Sequence, residues 1–169
     1  PPPSPALSHL APDGSASMVN VGEKPITERF AVAIATLTIS HDLAKAIRAN
    51  TLKKGDVFAV ARIAGIQAAK RTDELIPLCH SLPLDHVDVQ IELKGEENDY
   101  TQYIHITATA TTHARTGVEM EALTAASIAA LTVIDMGKSI DKEIEINHLG
   151  ISEKRGGRSG HFIANRIPM

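Results

Sequence analysis

Six polar residues form a stripe along an otherwise apolar run. Counting 100° per residue from Glu121, the residues Thr124, Ser127, Thr132, Asp135 and Lys138 fall with it inside an arc of roughly 140°, and alanines with Val133 fill the rest. On a generic helix such a stripe is a solvated face. Here it lacks the Lys/Glu pairs of an exposed face and ends in Asp135 and Lys138 at i, i+3, the spacing of an ion pair or of a coupled acid and base. Glu121 and Asp135 stand 14 residues apart, about 21 Å along a helix axis, so they cannot serve one reacting atom from the same chain. Either one of them is structural, or the substrate is long, or a second subunit brings the opposite end of its own helix to the site. Small-residue helix faces favour the last option and predict a homo-oligomer with shared sites.

Other candidates have duller readings beside the chemical ones. Glu119 occupies the fourth position of Thr116-Gly-Val-Glu119, a capping-box pattern, in which its carboxylate would bind the backbone amide of Thr116. Cys79 and His80 sit between Pro77 and Pro83, where packing or a satisfied hydrogen bond competes with a role for His80 as a donor to an anionic or heterocyclic ligand. One cysteine and scattered histidines give no structural metal site. Cations recur at element ends: Lys53 and Lys54, Lys70 and Arg71, Lys138, and Lys154, Arg155 and Arg158 in a Gly-rich stretch. Free amides and guanidinium forks in Lys154–Gly160 suit a phosphate, although the GxxxxGK[ST] pattern of a P-loop is absent.

The elements that must position these residues follow from periodicity. Phe30, Val32 and Ile34 alternate with Ala31, Ala33 and Ala35 in a first strand over Ile26–Ile39, and Ser40 caps a short helix reaching Ala49. Asp56 to about Glu74 reads as a helix whose Val57, Ala61, Gly65, Ala68 and Ala69 face one way. Val87–Leu93 and Tyr103–Thr112 form a hairpin, an Ala-rich helix runs to roughly Lys138, and Ile144, Ile146 and Leu149 mark a last strand. Lys154–Gly160 reads as a mobile basic loop. This order is a split βαβ arrangement of the α+β class, an antiparallel sheet with helices packed on one face.

Length bounds the rest. The 169 residues make one domain, 24–163, between a proline-rich flexible arm over 1–23 and a short tail over 164–169. Net charge is −3, with 17 Lys and Arg against 20 Asp and Glu, which disfavours nucleic acid as a partner. The single Cys79 excludes an intramolecular disulfide, and no apolar run reads as a membrane helix, so the chain is expected in a reducing, cytoplasmic compartment. Starting at Pro1, it reads as processed or trimmed, and an organellar matrix fits if a targeting segment was removed. At 3% aromatic content and no Trp, the core must be aliphatic and rich in Ala.

Long strings add a resemblance. KKGDVFAVARIAGIQAAKRTDELIPLCHSLPL (Lys53–Leu84), TGVEMEALTAASIAALTVIDMGK (Thr116–Lys138) and KRGGRSG (Lys154–Gly160) resemble the cyclic pyranopterin monophosphate synthase family, the MoaC proteins of molybdenum-cofactor biosynthesis, over Met18 to Phe162. The resemblance implies a ferredoxin-like lyase that converts 3′,8-cyclo-7,8-dihydro-GTP to cyclic pyranopterin monophosphate and releases diphosphate. It implies hexamers built as trimers of dimers with sites at subunit interfaces. No cofactor is required, with room for Mg²⁺ beside the diphosphate. Matched residue by residue, the catalytic positions are Asp135, Lys138 and Lys54, and the substrate-binding positions are Leu78, Cys79, His80, Met120, Glu121 and Lys154, with Arg158 added from the same basic loop. Asp135 and Lys138 are expected as acid and base on a desolvated helix end, and Lys54, His80, Lys154 and Arg158 as the grip on the triphosphate. Ser81, Gly137 and Asn20 depart from residues common in the family. A nucleotide-binding regulator or a purely structural oligomer are the competing readings.

Overall fold

The computed structural model describes residues 15–97, 99–158 and 160–165. The start of the expected arm, 1–14, and the end of the expected tail, 166–169, lie outside the described residues.

Strand β1 (Thr27–Ser40) runs through the middle of the sheet, and its alternation is the one the sequence gives: Ala31, Ala33 and Ala35 are fully buried on one face, while Phe30, Val32 and Ile34 line the other. Helices α1 (His41–Arg48), α2 (Val57–Ala69) and the single turn α3 (Thr72–Leu75) lead to the hairpin β2 (His86–Lys94) and β3 (Thr101–Ala114). Helix α4 (Glu119–Gly137) then returns the chain to β4 (Glu145–Arg155) and a two-residue β5 (Phe162–Ile163). The sheet order is β2-β3-β1-β4-β5, with every neighbouring pair antiparallel. β3 lies between β1 and β2, and β1 between β3 and β4, which makes this the split βαβ, ferredoxin-like α+β fold with its helix layer on one face.

Small residues set how closely the layers approach. Register places Ala31 opposite Ala110 and Ala33 opposite Ala108, and above them α4 turns down Ala122, Ala125, Ala126, Ala129 and Ala130, all fully buried. α2 meets α4 at Gly65, where a Cβ would stand 2.8 Å from the Ala125 carbonyl oxygen and 3.3 Å from the Ala129 Cβ. No larger side chain fits that crossing without moving a backbone.

Four expectations change. The helix expected over 56–74 stops at Ala69, because the Thr72 hydroxyl donates to the carbonyls of Ala69 and Ala68 and the chain starts a new turn. Lys154 and Arg155 belong to the end of β4 rather than to a loop, and β5, unseen in the sequence, pairs with Glu153 and Lys154. The capping box is absent: α4 begins at Glu119 with Val118 as its N-cap and no side-chain cap, which puts Glu119 too early in the helix to reach back to Thr116. Finally, α4 has a mean hydropathy of 1.3 over an 18-residue window, long and apolar enough for a membrane span, but over half of that stretch is buried in the chain's own core.

Candidate active site

The two ends of α4 carry two separate groups of the expected residues. At its C-terminal end Asp135 meets both expected lysines: Lys54 Nζ lies 2.5 Å from Oδ2 and Lys138 Nζ 2.7 Å from Oδ1. Lys54 Nζ also donates to the Asp135 carbonyl at 3.0 Å, so it covers the negative end of the helix. The sequence Lys54-Gly55-Asp56 explains how it gets there. Gly55 closes a tight turn at φ +91° with its N–H on the Leu52 carbonyl, and Asp56 caps α2 by accepting from Phe58 and Ala59 N–H. That fixes where α2 starts and aims Lys54 across to α4.

The expected desolvation of this end is not found. The side chains of Asp135, Lys54 and Lys138 are each about half exposed. Hydrogen bonds from Lys138 and then Lys54 hold the Asp135 carboxyl down at about 2, so it is a fixed anion at neutral pH rather than an acid or base poised to exchange a proton.

The N-terminal end is built differently. Glu119, Met120 and Glu121 open α4 beside the turn that carries Leu78, Cys79 and His80, and all six line a cleft of about 430 Å³. The turn is pinned: Cys79 N–H bonds the Ile76 carbonyl, the Thr112 hydroxyl donates to the Pro83 carbonyl, and Asp85 N–H bonds the Thr111 carbonyl. His80 donates from Nε2 to the Val19 carbonyl at 2.8 Å, which ties the segment before β1 into the cleft wall and settles which ring nitrogen carries that proton. Glu121 is 4% exposed. Burial first, then the nearby charges of Glu119 and Asp73, raise its carboxyl to about 7, against the lowering pull of its own backbone N–H. Burial, with Glu121 and Asp73, likewise pushes the Cys79 thiol up, which keeps it protonated and a poor nucleophile.

A second cleft, about 530 Å³, shares the walls at Lys24, Thr116, Gly117 and Glu119. Its lining includes Lys24, Arg29, Lys154, Arg155 and Arg158 against the single acid Glu119, which takes Lys154 at 2.8 Å. Glycine is required at its rim. Gly156 and Gly157 have φ of +98° and +73°, and a Cβ would lie 2.1 Å from the Glu28 carbonyl oxygen at the first and 1.8 Å from Arg29 Nη1 at the second. Arg29 lies across this turn, while Arg155 stacks 3.9 Å over the Phe30 ring.

Seven expected residues thus converge on one pair of joined clefts: Leu78, Cys79, His80, Met120, Glu121, Lys154 and Arg158. The other three, Lys54, Asp135 and Lys138, line neither cleft and stand at the far end of the same helix. The polar stripe between the two groups is half-buried rather than fully solvated. Thr124 is buried, and Ser127 and Thr132 return their hydroxyls to the carbonyls of Leu123 and Ile128 one turn back. Lys24 and Arg29 were not singled out for the site from the sequence, and Arg155 only as one cation of the Gly-rich stretch; what brings Arg29 in is its approach to Gly157 just past the end of β4. Among the described residues no three His, Cys, Asp or Glu side chains converge as a metal site.

Comparison with known proteins gives a family. The sequence profile of the MoaC family matches residues 18–157. Among solved structures, the full extracellular region of zebrafish Gpr126/Adgrg6 is similar at 14% identity over 82% of this chain, with a TM-score of 0.32. The chain spans 14% of that protein's length, and a likeness this slight carries no argument.

Proposed function

The chain belongs to the MoaC family, the cyclic pyranopterin monophosphate synthase family of molybdenum-cofactor biosynthesis, and from that premise we propose that it converts 3′,8-cyclo-7,8-dihydro-GTP to cyclic pyranopterin monophosphate with release of diphosphate. The observation that carries this reading is the joined pair of clefts, one cationic and one with mixed polar and apolar walls and a buried acid. A nucleoside triphosphate derivative needs both. Its phosphates go to Lys24, Arg29, Lys154 and Arg158, where guanidinium and ammonium donors also offset charge on the departing diphosphate. Its heterocycle goes between Leu78, Met120 and the His80 turn. A ribose-derived hydroxyl then attacks the α-phosphorus, the bond from that phosphorus to the diphosphate oxygen breaks, and the hydroxyl proton leaves to a base.

Lys54, Asp135 and Lys138 enter this reaction from a second copy of the chain. One helix of 19 residues cannot bend its own ends together. Leu131 of α4 and Val60 and Ile63 of α2 are also about half exposed, apolar side chains that a second helix layer would cover. In a two-fold dimer, the C-terminal cluster of one chain completes the clefts of the other. Asp135 then serves as the anion that holds two lysines toward the substrate. Incubation of the purified chain with the cyclised dihydro-GTP, followed by assay of diphosphate and of a pterin fluorescent after oxidation, tests the reading: both products are expected, and binding without either one contradicts it.

A further inference from the structure

Asp141 is the one buried residue of the connection 138–143, which leads from α4 toward β4, and its neighbours on both sides are exposed. A carboxylate is costly to bury, and this one makes no ion pair among the described residues. Backbone holds it instead. Oδ2 accepts from the Ser40 N–H at 2.6 Å and Oδ1 from the Glu143 N–H at 2.9 Å. Pairing of β1 with β4 ends at Thr38 and Glu145, so the Asp141 side chain takes a β1 N–H just beyond the last strand partner. Ser40 in turn caps α1 by accepting from the Leu43 N–H. The same connection folds back on its helix, with the Ile140 and Asp141 N–H groups both on the Gly137 carbonyl, at 2.9 and 3.1 Å. At Gly137 a Cβ would stand 2.8 Å from Leu43 Cδ2 and 3.0 Å from Ile144 Cδ1, so α4 ends in close contact with α1.

We propose that Asp141 is a positioning residue: it pins the last turn of α4 to the junction of β1 and α1, and thereby sets where Asp135 and Lys138 stand in the active site. This rests on the function proposed above. Asp135 and Lys138 flank Gly137, the residue whose carbonyl receives the folded-back amides and whose Cα lies against Leu43. Their own ion pair is exposed, and exposed pairs are too weak to order a helix end by themselves. The order comes from beneath, where one carboxylate joins two backbone segments by charge-assisted hydrogen bonds. Asp is needed for this. Asn has the same shape but offers a single carbonyl oxygen, and its NH2 would face the second backbone N–H, donor against donor. Asp141 lines neither cleft, so its effect on turnover passes through Lys138 and Asp135.

The test compares wild type with D141N and, as the conservative variant, D141E in diphosphate-release kinetics, well below the unfolding midpoint of each. D141N should lose about 10- to 100-fold in kcat with KM changed less than about threefold, because a displaced lysine slows the chemical step and leaves the phosphate grip in place. D141E keeps two carboxylate oxygens and should recover part of the loss. A second readout needs no turnover. In an NMR titration of the Asp135 carboxyl carbon, identified by its loss in D135N, the group should titrate at higher pH in D141N than in wild type, since Lys138 no longer stands on it. Wild-type kcat in D141N, or an Asp135 titration that does not move, overturns the role of Asp141. Should D141N fail to fold, D141E decides, with a smaller loss and a smaller rise expected and wild-type values for both overturning the role. Wild type that forms no product overturns the functional reading, and the Asp135 titration then decides the anchor by itself.

Discussion

The two ends of α4 put chemically similar side chains into opposite environments. At the C-terminal end a carboxylate in solvent is gripped by two ammonium groups and held at about 2; at the N-terminal end one is buried beside two acids and rises to about 7. Proximity in sequence to a lysine is what makes Asp135 look like half of an acid–base pair. In the structure that lysine, with Lys54, is the reason it cannot exchange protons near neutrality. Charge pairing in water and burial without an ion pair act in opposite senses on the same chemical group.

The largest consequence outside catalysis is in stability against pH. The folded-state value for Glu121 lies above its unfolded value near 4.5. Its contribution is therefore intact below that value and is lost as pH climbs through about 7, where the folded chain must hold a buried carboxylate. E121Q should match wild type at acidic pH and exceed it at about pH 8 by up to about 3 kcal/mol in denaturant titration. Equal stability at both pH values would mean that the two ends of α4 do not differ as described. Asp135→Asn, by contrast, should leave the melting temperature unchanged, since the ion pairs it breaks are solvent-exposed.

A smaller effect sharpens the same comparison by moving the helix that separates the two ends. Gly65→Ala forces a Cβ to within 2.8 Å of the Ala125 carbonyl, and should cost about 1–3 kcal/mol in thermal or chemical unfolding. An unchanged unfolding midpoint would show that α4 is free to shift. The smallest effect is in the cationic cleft. Arg29→Ala removes one charge-assisted donor and should weaken binding of inorganic diphosphate by about tenfold in calorimetry, with turnover pH dependence unmoved. Unaltered affinity would remove Arg29 from the phosphate compartment.

Much of this architecture was legible in residue order. Alternation over Phe30 to Ala35, the small face of Val57 to Ala69, and the Val87 and Tyr103 strands specify the elements, and the split topology follows from their sequence. Features that depend on tertiary partners were not legible. Thr116 and Glu119 satisfy a local capping rule, but Lys154, 35 residues on, claims the carboxylate. Arg29 reads as an ordinary polar strand residue until the backbone of Gly157 is laid against it. Period and composition place Glu121 on the same stripe as Asp135, yet nothing local says that one is buried and the other wet. The distance between them was the exception, because helical rise alone sets it.

That distance makes the central claim testable by mixing chains. In a two-fold dimer of E121Q with D135N, shared sites put both lesions in one site and leave the other intact; sites confined to one chain leave none. Random co-assembly of the two inactive variants should therefore restore about a quarter of wild-type diphosphate release. Activity no higher than that of either variant alone would contradict a site built from the two ends of α4 in different subunits.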